Sequence, residues 1–398
     1  MDAVIVEAAR ALTKGDPLGA LNRVALRDDP KALALRGTAM AMLGDFARAR
    51  TLLRSAARSF GPVERARCQV AEAEIALASR DLGFNLEAAR ATLEKAGDQV
   101  NAAYAHSIEI RQLVLIGRIG EAERQLSLLD PCPFPPALRA IHELVIAGIA
   151  IRRLHTDRAR NAFERAAEAA RGIGPLMAEV ETAARLLEMP AARLVTKDED
   201  RLLRLDEVEV LLASGAIIID ACRLVVRDAG TIVPLAGRPV LFALARILAE
   251  SWPADATRAA LIARAFRGKE ADESHRARLR VEIGRLRAAL KPLAELRATR
   301  HGFALVPNRN CAIKVLARPV EDEHAPVLAF LADGESWSSS ALALALGASQ
   351  RTVQRALEAL QASGKVQAFG DGRARRWMTP PLPGLTTSLL LPILPSGA

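Results

Sequence analysis

The 398-residue sequence predicts a mainly α, multidomain protein: a long helical half followed by two small α+β domains. Three observations carry this. The length is between two and three times that of a common domain of about 150 residues. Apolar residues make up 51 % of the chain but aromatics only 4 %, so the apolar mass is Ala, Leu and Val. Such a composition packs helices closely and disfavours a large β-sandwich or an aromatic-lined sugar cleft. Finally, residues 1–190 run as helix after helix broken by Gly, Asp and Pro, whereas short β-rich runs begin at Ile217.

Charge and cysteine usage narrow the function classes. The net charge is +9, and of 55 basic residues only eight are lysine, a skew that genome base composition can produce without nucleic acid. Position is more informative than the total. Residues 216–316 hold eighteen basic against nine acidic groups, residues 196–215 are acidic, and the flanking regions are close to neutral. A basic excess confined to one segment is what a phosphate-binding surface requires. Cys68, Cys132, Cys222 and Cys311 lie far apart without a CxxC pair, which indicates neither a zinc knuckle nor a disulfide framework. No phosphate loop, dinucleotide fingerprint or nucleophile elbow occurs, and the six histidines are scattered. We therefore expect no enzyme activity, no cofactor and no metal. No signal peptide opens the sequence, and the apolar stretch at 385–398 is short and interrupted by Pro392 and Pro395. A cytoplasmic, nucleoid-associated protein without a membrane partner is expected.

The first domain is expected to span residues 1–195. Its clearest unit runs from Gly37 to Ala56, with small residues at Gly37, Ala49 and Ala56 and Phe46 just after the turn Leu43-Gly44-Asp45. Ala89, Ala122 and Ala159 fall at similar places, at intervals of 40, 33 and 37 residues from Ala49 onward. This spacing resembles the tetratricopeptide (TPR) repeat. The resemblance implies a TPR-like α-solenoid with a groove for a peptide, a partner protein or a small effector; the alternative is a plain scaffold. Met177 to Leu187 reads as a closing helix, and residues 196–215 as an acidic junction.

In the second domain, residues 216–316, two short strands at Ile217–Asp220 and Leu224–Val226 lead through a turn to Val233–Leu235. Helices are expected from about Pro239 to Ser251, Thr257 to Phe266 and Ser274 to Leu290, then a hairpin of Leu296–Thr299 and Phe303–Val306 around Arg300-His301-Gly302. On the third helix Leu279, Ile283, Leu286 and Leu290 fall on one stripe, the expected buried face. The opposite face carries Ala277, Val281, Gly284 and Ala288. Arg278 and Arg285 flank it on one side, Arg280, Arg287 and Lys291 on the other, and Arg276 joins them near the helix start. A thin ridge between rows of cations suits a helix set in a major groove, with cations on phosphates or guanine edges and Val or Ala on thymine methyls. The element order, Val281-Glu282-Ile283-Gly284-Arg285-Leu286-Arg287-Ala288-Ala289-Leu290 and Arg300-His301-Gly302-Phe303 together resemble the DNA-binding domain of OmpR-type response regulators. That resemblance implies a winged helix in which the long helix reads DNA and Arg300 and His301 sit on the wing. No receiver domain precedes it.

The third domain is expected at 320–380. Leu342-Ala343, Leu346-Gly347-Ala348-Ser349, Thr352-Val353 and Arg355-Ala356-Leu357 resemble the helix-turn-helix of bacterial winged-helix repressors. Gly347 suits the turn and Ser349 the N-cap of the second helix. Val353, Ala356, Leu357 and Leu360 point inward by periodicity. The resemblance implies a second DNA-binding face of Ser349, Gln350, Arg351, Thr352, Gln354, Arg355 and, from the hairpin that turns at Gly370-Asp371-Gly372, Arg373 and Arg375. A Pro-rich apolar tail follows at 381–398. Read as a whole, the sequence points to a bacterial transcription regulator that binds double-stranded DNA, with the helical half as sensor or docking module. The short stretch Pro307–Pro319 between the two reading domains implies a bipartite site. The alternatives are a DNA-architecture protein without sequence preference, or an adaptor whose winged helices dock proteins such as RNA polymerase.

Overall fold

The computed structural model describes residues 2–79, 81–129, 134–266, 273–319, 324–331, 337–346, 348–370, 372 and 375–378. It is mainly helical with small sheets and divides into two compact units. The first takes the chain to Leu186, apart from Leu154–Thr156, and resumes at His324. The second is Leu187–Glu323 with Leu154–Thr156.

The first unit begins with α1 (Ala3–Thr13), α2 (Pro17–Val24), α3 (Pro30–Met42), α4 (Phe46–Ser59), α5 (Pro62–Ala78) and α6 (Glu87–Lys95). It continues with α7 (Gln99–Leu115), α8 (Ile119–Leu126), α9 (Pro136–Arg153), α10 (Thr156–Ala169) and α11 (Gly174–Ala184). Several helix starts follow directly from side-chain chemistry. Asp2, Asp16, Asp29, Asp45 and Asp98 are N-caps whose carboxylates accept backbone N–H groups of the first turn, while Pro17, Pro30 and Pro62 open helices where no N–H is needed. Each helix packs on its neighbour through α8, and α1, α3, α5, α7, α9 and α11 also pack successively on one another. Small residues allow the closest approach. A Cβ on Gly37 would lie 2.9 Å from Leu53 Cγ and 3.1 Å from the Ala49 carbonyl oxygen. Ala49, Ala56, Ala89, Ala122 and Ala159 are all buried, and Phe46 is half-buried beside the turn.

The second unit contains β1 (Ala192–Val195), β2 (Asp200–Leu203), α12 (Leu205–Ala213), β3 (Ile217–Asp220), β4 (Val225–Arg227) and β5 (Ile232–Pro234). Then come α13 (Pro239–Ser251), β6 (Ala256–Thr257), α14 (Arg258–Phe266), α15 (Glu273–Leu290), β7 (Ala294–Ala298), β8 (Gly302–Pro307) and β9 (Ile313–Ala317). One sheet has the order β2-β1-β9-β3-β4-β5, antiparallel except for the parallel β3/β9 pair; a smaller one has the order β6-β8-β7. Alternation divides the larger sheet between two cores. Ile217, Ile219, Ile313 and Val315 pack with α13, α14 and α15, whereas Leu194, Leu203, Ile218 and Leu316 pack with Val208 and Leu211 of α12. Both faces are covered, which is why Ile217-Ile218-Ile219 is buried throughout.

Two sequence expectations are revised here. The stretch 196–215 is not a free junction, since β2 and α12 occupy most of it and the helical half gives way to this unit before residue 195. Likewise Pro307–Pro319 is not an open tether. Ile313–Ala317 is an interior strand, hydrogen-bonded to β1 on one side and β3 on the other. Strands of four or five residues carrying Arg, Asp and Lys read as linkers locally; they become strands because their backbone groups find distant partners.

Chain resuming at 324 forms α16 (Ala325–Leu331), α17 (Ser339–Leu346), α18 (Gln350–Ala362), β10 (Gln367–Phe369) and β11 (Arg376–Met378). They enclose a core of Val327, Leu331, Leu342, Val353, Leu357, Leu360, Val366 and Trp377. Trp337 and Trp377 exchange backbone hydrogen bonds at 2.8 Å and so extend the β10/β11 hairpin.

Candidate nucleic-acid interface

The geometry of α15 follows its sequence period. Leu279, Ile283, Leu286 and Leu290 are buried, and Ala277, Val281, Gly284 and Ala288 form an exposed ridge. Val281, an apolar side chain, is 54 % exposed in mid-helix. A Cβ on Gly284 would meet no atom within 4 Å.

The cations beside this ridge have different partners. Arg276 and Arg280 both pair with Glu273, at 3.4 and 3.9 Å, and Arg285 pairs with Glu282 at 2.8 Å. The two pairs with Glu273 are exposed and contribute about 0–1 kcal/mol, so a phosphate can displace them, whereas the Glu282 carboxylate is largely covered. Arg278 and Arg287 are used structurally as well. The Arg278 guanidinium lies 4.7 Å from the centre of the Phe266 ring, and Arg287 Nε donates to the Leu296 carbonyl at 3.1 Å. Lys291 is exposed just past the helix.

The β7/β8 hairpin places Arg300 and His301 at its tip, both exposed, with Thr299 N–H donating to the Gly302 carbonyl at 3.0 Å. Gly302 is required by packing. A Cβ there would fall 1.8 Å from the Ala256 carbonyl oxygen, because β6 runs directly against β8. Two residues that sequence reasoning missed belong to this surface. Arg258, at the start of α14, bonds to the hairpin tip. Arg238, at the start of α13, shares an open groove with Glu282, Arg285, Gly237 and Pro239. Neither lies near α15 or the hairpin in sequence, so only tertiary packing reveals them.

In the first unit, Ser349 caps α18 by accepting from Thr352 N–H at 3.1 Å, and Val353, Ala356, Leu357 and Leu360 are buried as the period requires. Gln350, Arg351, Thr352, Gln354 and Arg355 are exposed. Gln350 donates to Ser339 Oγ at 3.3 Å, while Arg351 and Arg355 have no ion pair among the described residues. Arg375 stacks on Trp377 at 4.5 Å and donates to Gln361 at 3.3 Å. Arg373 and Gly347 lie outside the described residues, as do residues 267–272, Cys132 and residues 381–398. The two groups of expected DNA contacts fall in different compact units.

Helices α7, α9 and α11 carry buried polar groups of their own. Arg111 on α7 and Glu179 on α11 approach to 3.9 Å with side chains about 5 % exposed, and His142 on α9 is buried, which pushes its imidazole below the ordinary value. No group of three or more His, Cys, Asp or Glu among the described residues could hold a metal ion, and no described helix is long and apolar enough to cross a membrane. Comparison with protein families, with curated proteins and with solved structures returned no match.

Proposed function

We propose that this protein is a sequence-specific, double-stranded-DNA-binding regulator of transcription. In this reading residues 216–316 act as a winged helix of the OmpR type, residues 320–380 act as a second winged helix, and the helical half is a TPR-like solenoid that senses an effector or docks a partner. One observation carries it: the exposed ridge of Ala277, Val281, Gly284 and Ala288 on α15, with Arg280 and Arg285 on its two flanks. In water an exposed valine and a mid-helix glycine bring no advantage, and the glycine costs about 1 kcal/mol of helix propensity. Inside a major groove, short side chains let the helix axis approach the bases, the valine covers a thymine methyl, and the flanking guanidinium groups meet phosphates or guanine edges.

The test is selection from a randomised duplex pool followed by affinity measurement on the recovered site. A regulator binds that site about a thousandfold or more above mixed-sequence DNA. Replacing Arg280 or Arg285 with Ala costs about 1–3 kcal/mol if that residue reads a base, and relaxes the preference at one position. Binding without preference makes the protein a DNA-architecture factor, and no binding at all overturns the proposal. For the module at 320–380 a second reading has its own support: Leu344 on α17 is 87 % exposed and offers an apolar contact to a protein such as RNA polymerase.

A further inference from the structure

The hairpin tip of the second unit is organised by one side chain that lies outside it. Thr299, Arg300 and His301 present three consecutive carbonyl oxygens, and Arg258 donates to all of them. Its Nη2 reaches the Thr299 oxygen at 3.2 Å, its Nη1 the Arg300 oxygen at 3.0 Å, and its backbone N–H the His301 oxygen at 3.2 Å. The same guanidinium lies 5.5 Å from the centre of the Phe303 ring. Thr299 completes the arrangement: its hydroxyl accepts from Gly302 N–H at 2.9 Å and donates to Asp255, the residue just before β6.

A short exposed turn usually leaves its carbonyls to water and samples several conformations. Here the carbonyls are drawn inward to Arg258, so the side chains of the same residues are turned outward, and Arg300 and His301 are exposed. The guanidinium is suited to this because its planar fork of N–H groups satisfies two acceptors in a fixed geometry, which an ammonium cannot reproduce. Gly302 then lets β6 close against the hairpin, and this holds Arg258, the next residue but one after Ala256, beside the tip.

We infer that Arg258 is a positioning residue that presents Arg300 to the DNA backbone and does not itself contact DNA. The inference rests on the proposed DNA-binding function. It goes beyond that reading by assigning wing geometry to a helix residue and by predicting that Arg258 acts on binding only through Arg300.

The experiment is a double-mutant cycle on the full chain with mixed-sequence duplex as probe, read as affinity against salt for wild type, Arg258→Ala, Arg258→Lys, Arg300→Ala and Arg258→Ala/Arg300→Ala. Each lost phosphate contact lowers the log–log salt slope by about 0.9. Arg258→Ala should lower it by the same amount as Arg300→Ala, and the double variant should bind no worse than Arg300→Ala alone. Arg258→Lys should behave like Arg258→Ala, because the charge is kept and the fork is lost. Amide exchange at Thr299–Gly302 should accelerate in both Arg258 variants without DNA present. Additive losses, or a Lys variant with wild-type affinity and slope, would mean that Arg258 acts through its own charge, and the inference falls. If Arg258→Ala does not fold, the Lys variant with and without Arg300→Ala decides the same question. If Arg300→Ala weakens binding while Arg258→Ala does not, the positioning role fails and DNA binding stands. A wild-type chain that does not bind duplex overturns both.

Discussion

Replacing Gly302 with Ala should loosen the small sheet of the second unit while leaving the helical half unchanged. The added methyl would sit 1.8 Å from the Ala256 carbonyl oxygen and 2.9 Å from Thr257 Cα, both backbone atoms, so no side-chain rotation relieves the clash. β6 must move away from β8 by more than an ångström. That breaks the pairing of Ala256 with Phe303 and of Thr257 with Gly302, and with it the Arg258 N–H bond to His301. Overpacking of this type costs about 1–3 kcal/mol, and a buried polar group left unpaired about 1–3 kcal/mol more, so a local loss of about 2–6 kcal/mol is expected. Hydrogen exchange read by peptide mass spectrometry reports it directly. Protection across 252–258 and 294–307 should fall by a factor of roughly 30 to 20,000, at about 1.4 kcal/mol per tenfold, with peptides from α3 and α4 as the unaffected reference. Wild-type protection in both windows would show that β6 does not run against Gly302 and would refute the packing argument.

Other expectations follow from equally local features. Gly284→Ala places a methyl in open space within a helix, so it should stabilise the fold by about 0.5–1 kcal/mol in a urea titration, while lowering duplex affinity if the ridge enters a groove. Burial, reinforced by Glu64 and Glu72, pushes the Cys68 thiol up to about 11. Because the folded value lies above the unfolded one of about 8.5, this stabilisation is complete below that pH and declines by about 1.4 kcal/mol per unit as pH rises toward 11. The urea midpoint of Cys68→Ala should therefore fall less than wild type between about pH 8 and about pH 10, and parallel curves would refute it. A flexible insertion at Asn310 only lengthens the β8–β9 loop, at about 0.6 kcal/mol per doubling, and should not change duplex affinity. The same insertion after Ala317 should weaken binding to a bipartite site by diluting one module relative to the other, and equal effects at the two places would count against a tether there. Arg351→Ala should erase one half of the footprint; an unchanged footprint would turn the C-terminal module into a protein-docking one.

The sequence by itself determined features whose physics is local. The buried stripe Leu279, Ile283, Leu286 and Leu290 and the ridge opposite it are set by the helical period, and the Ser349 cap by the reach of a hydroxyl to the next turn. The same holds for the small residues that let α3 and α4 touch, since Ala49 and Ala56 stand two helical turns apart on one face of α4 and Gly37 of α3 lies against Ala49. Only the tertiary structure decided where distant strands pair and which arginines are already engaged. β9 reads as linker until its backbone meets β1 and β3, and Ile218 is buried only because α12 covers the far face of the sheet. Arg258 and Arg300 are both plain cations in the sequence. One is bound to three carbonyls and the other is left exposed because β6 returns the chain to the hairpin from a distant segment, a contact that no local pattern encodes.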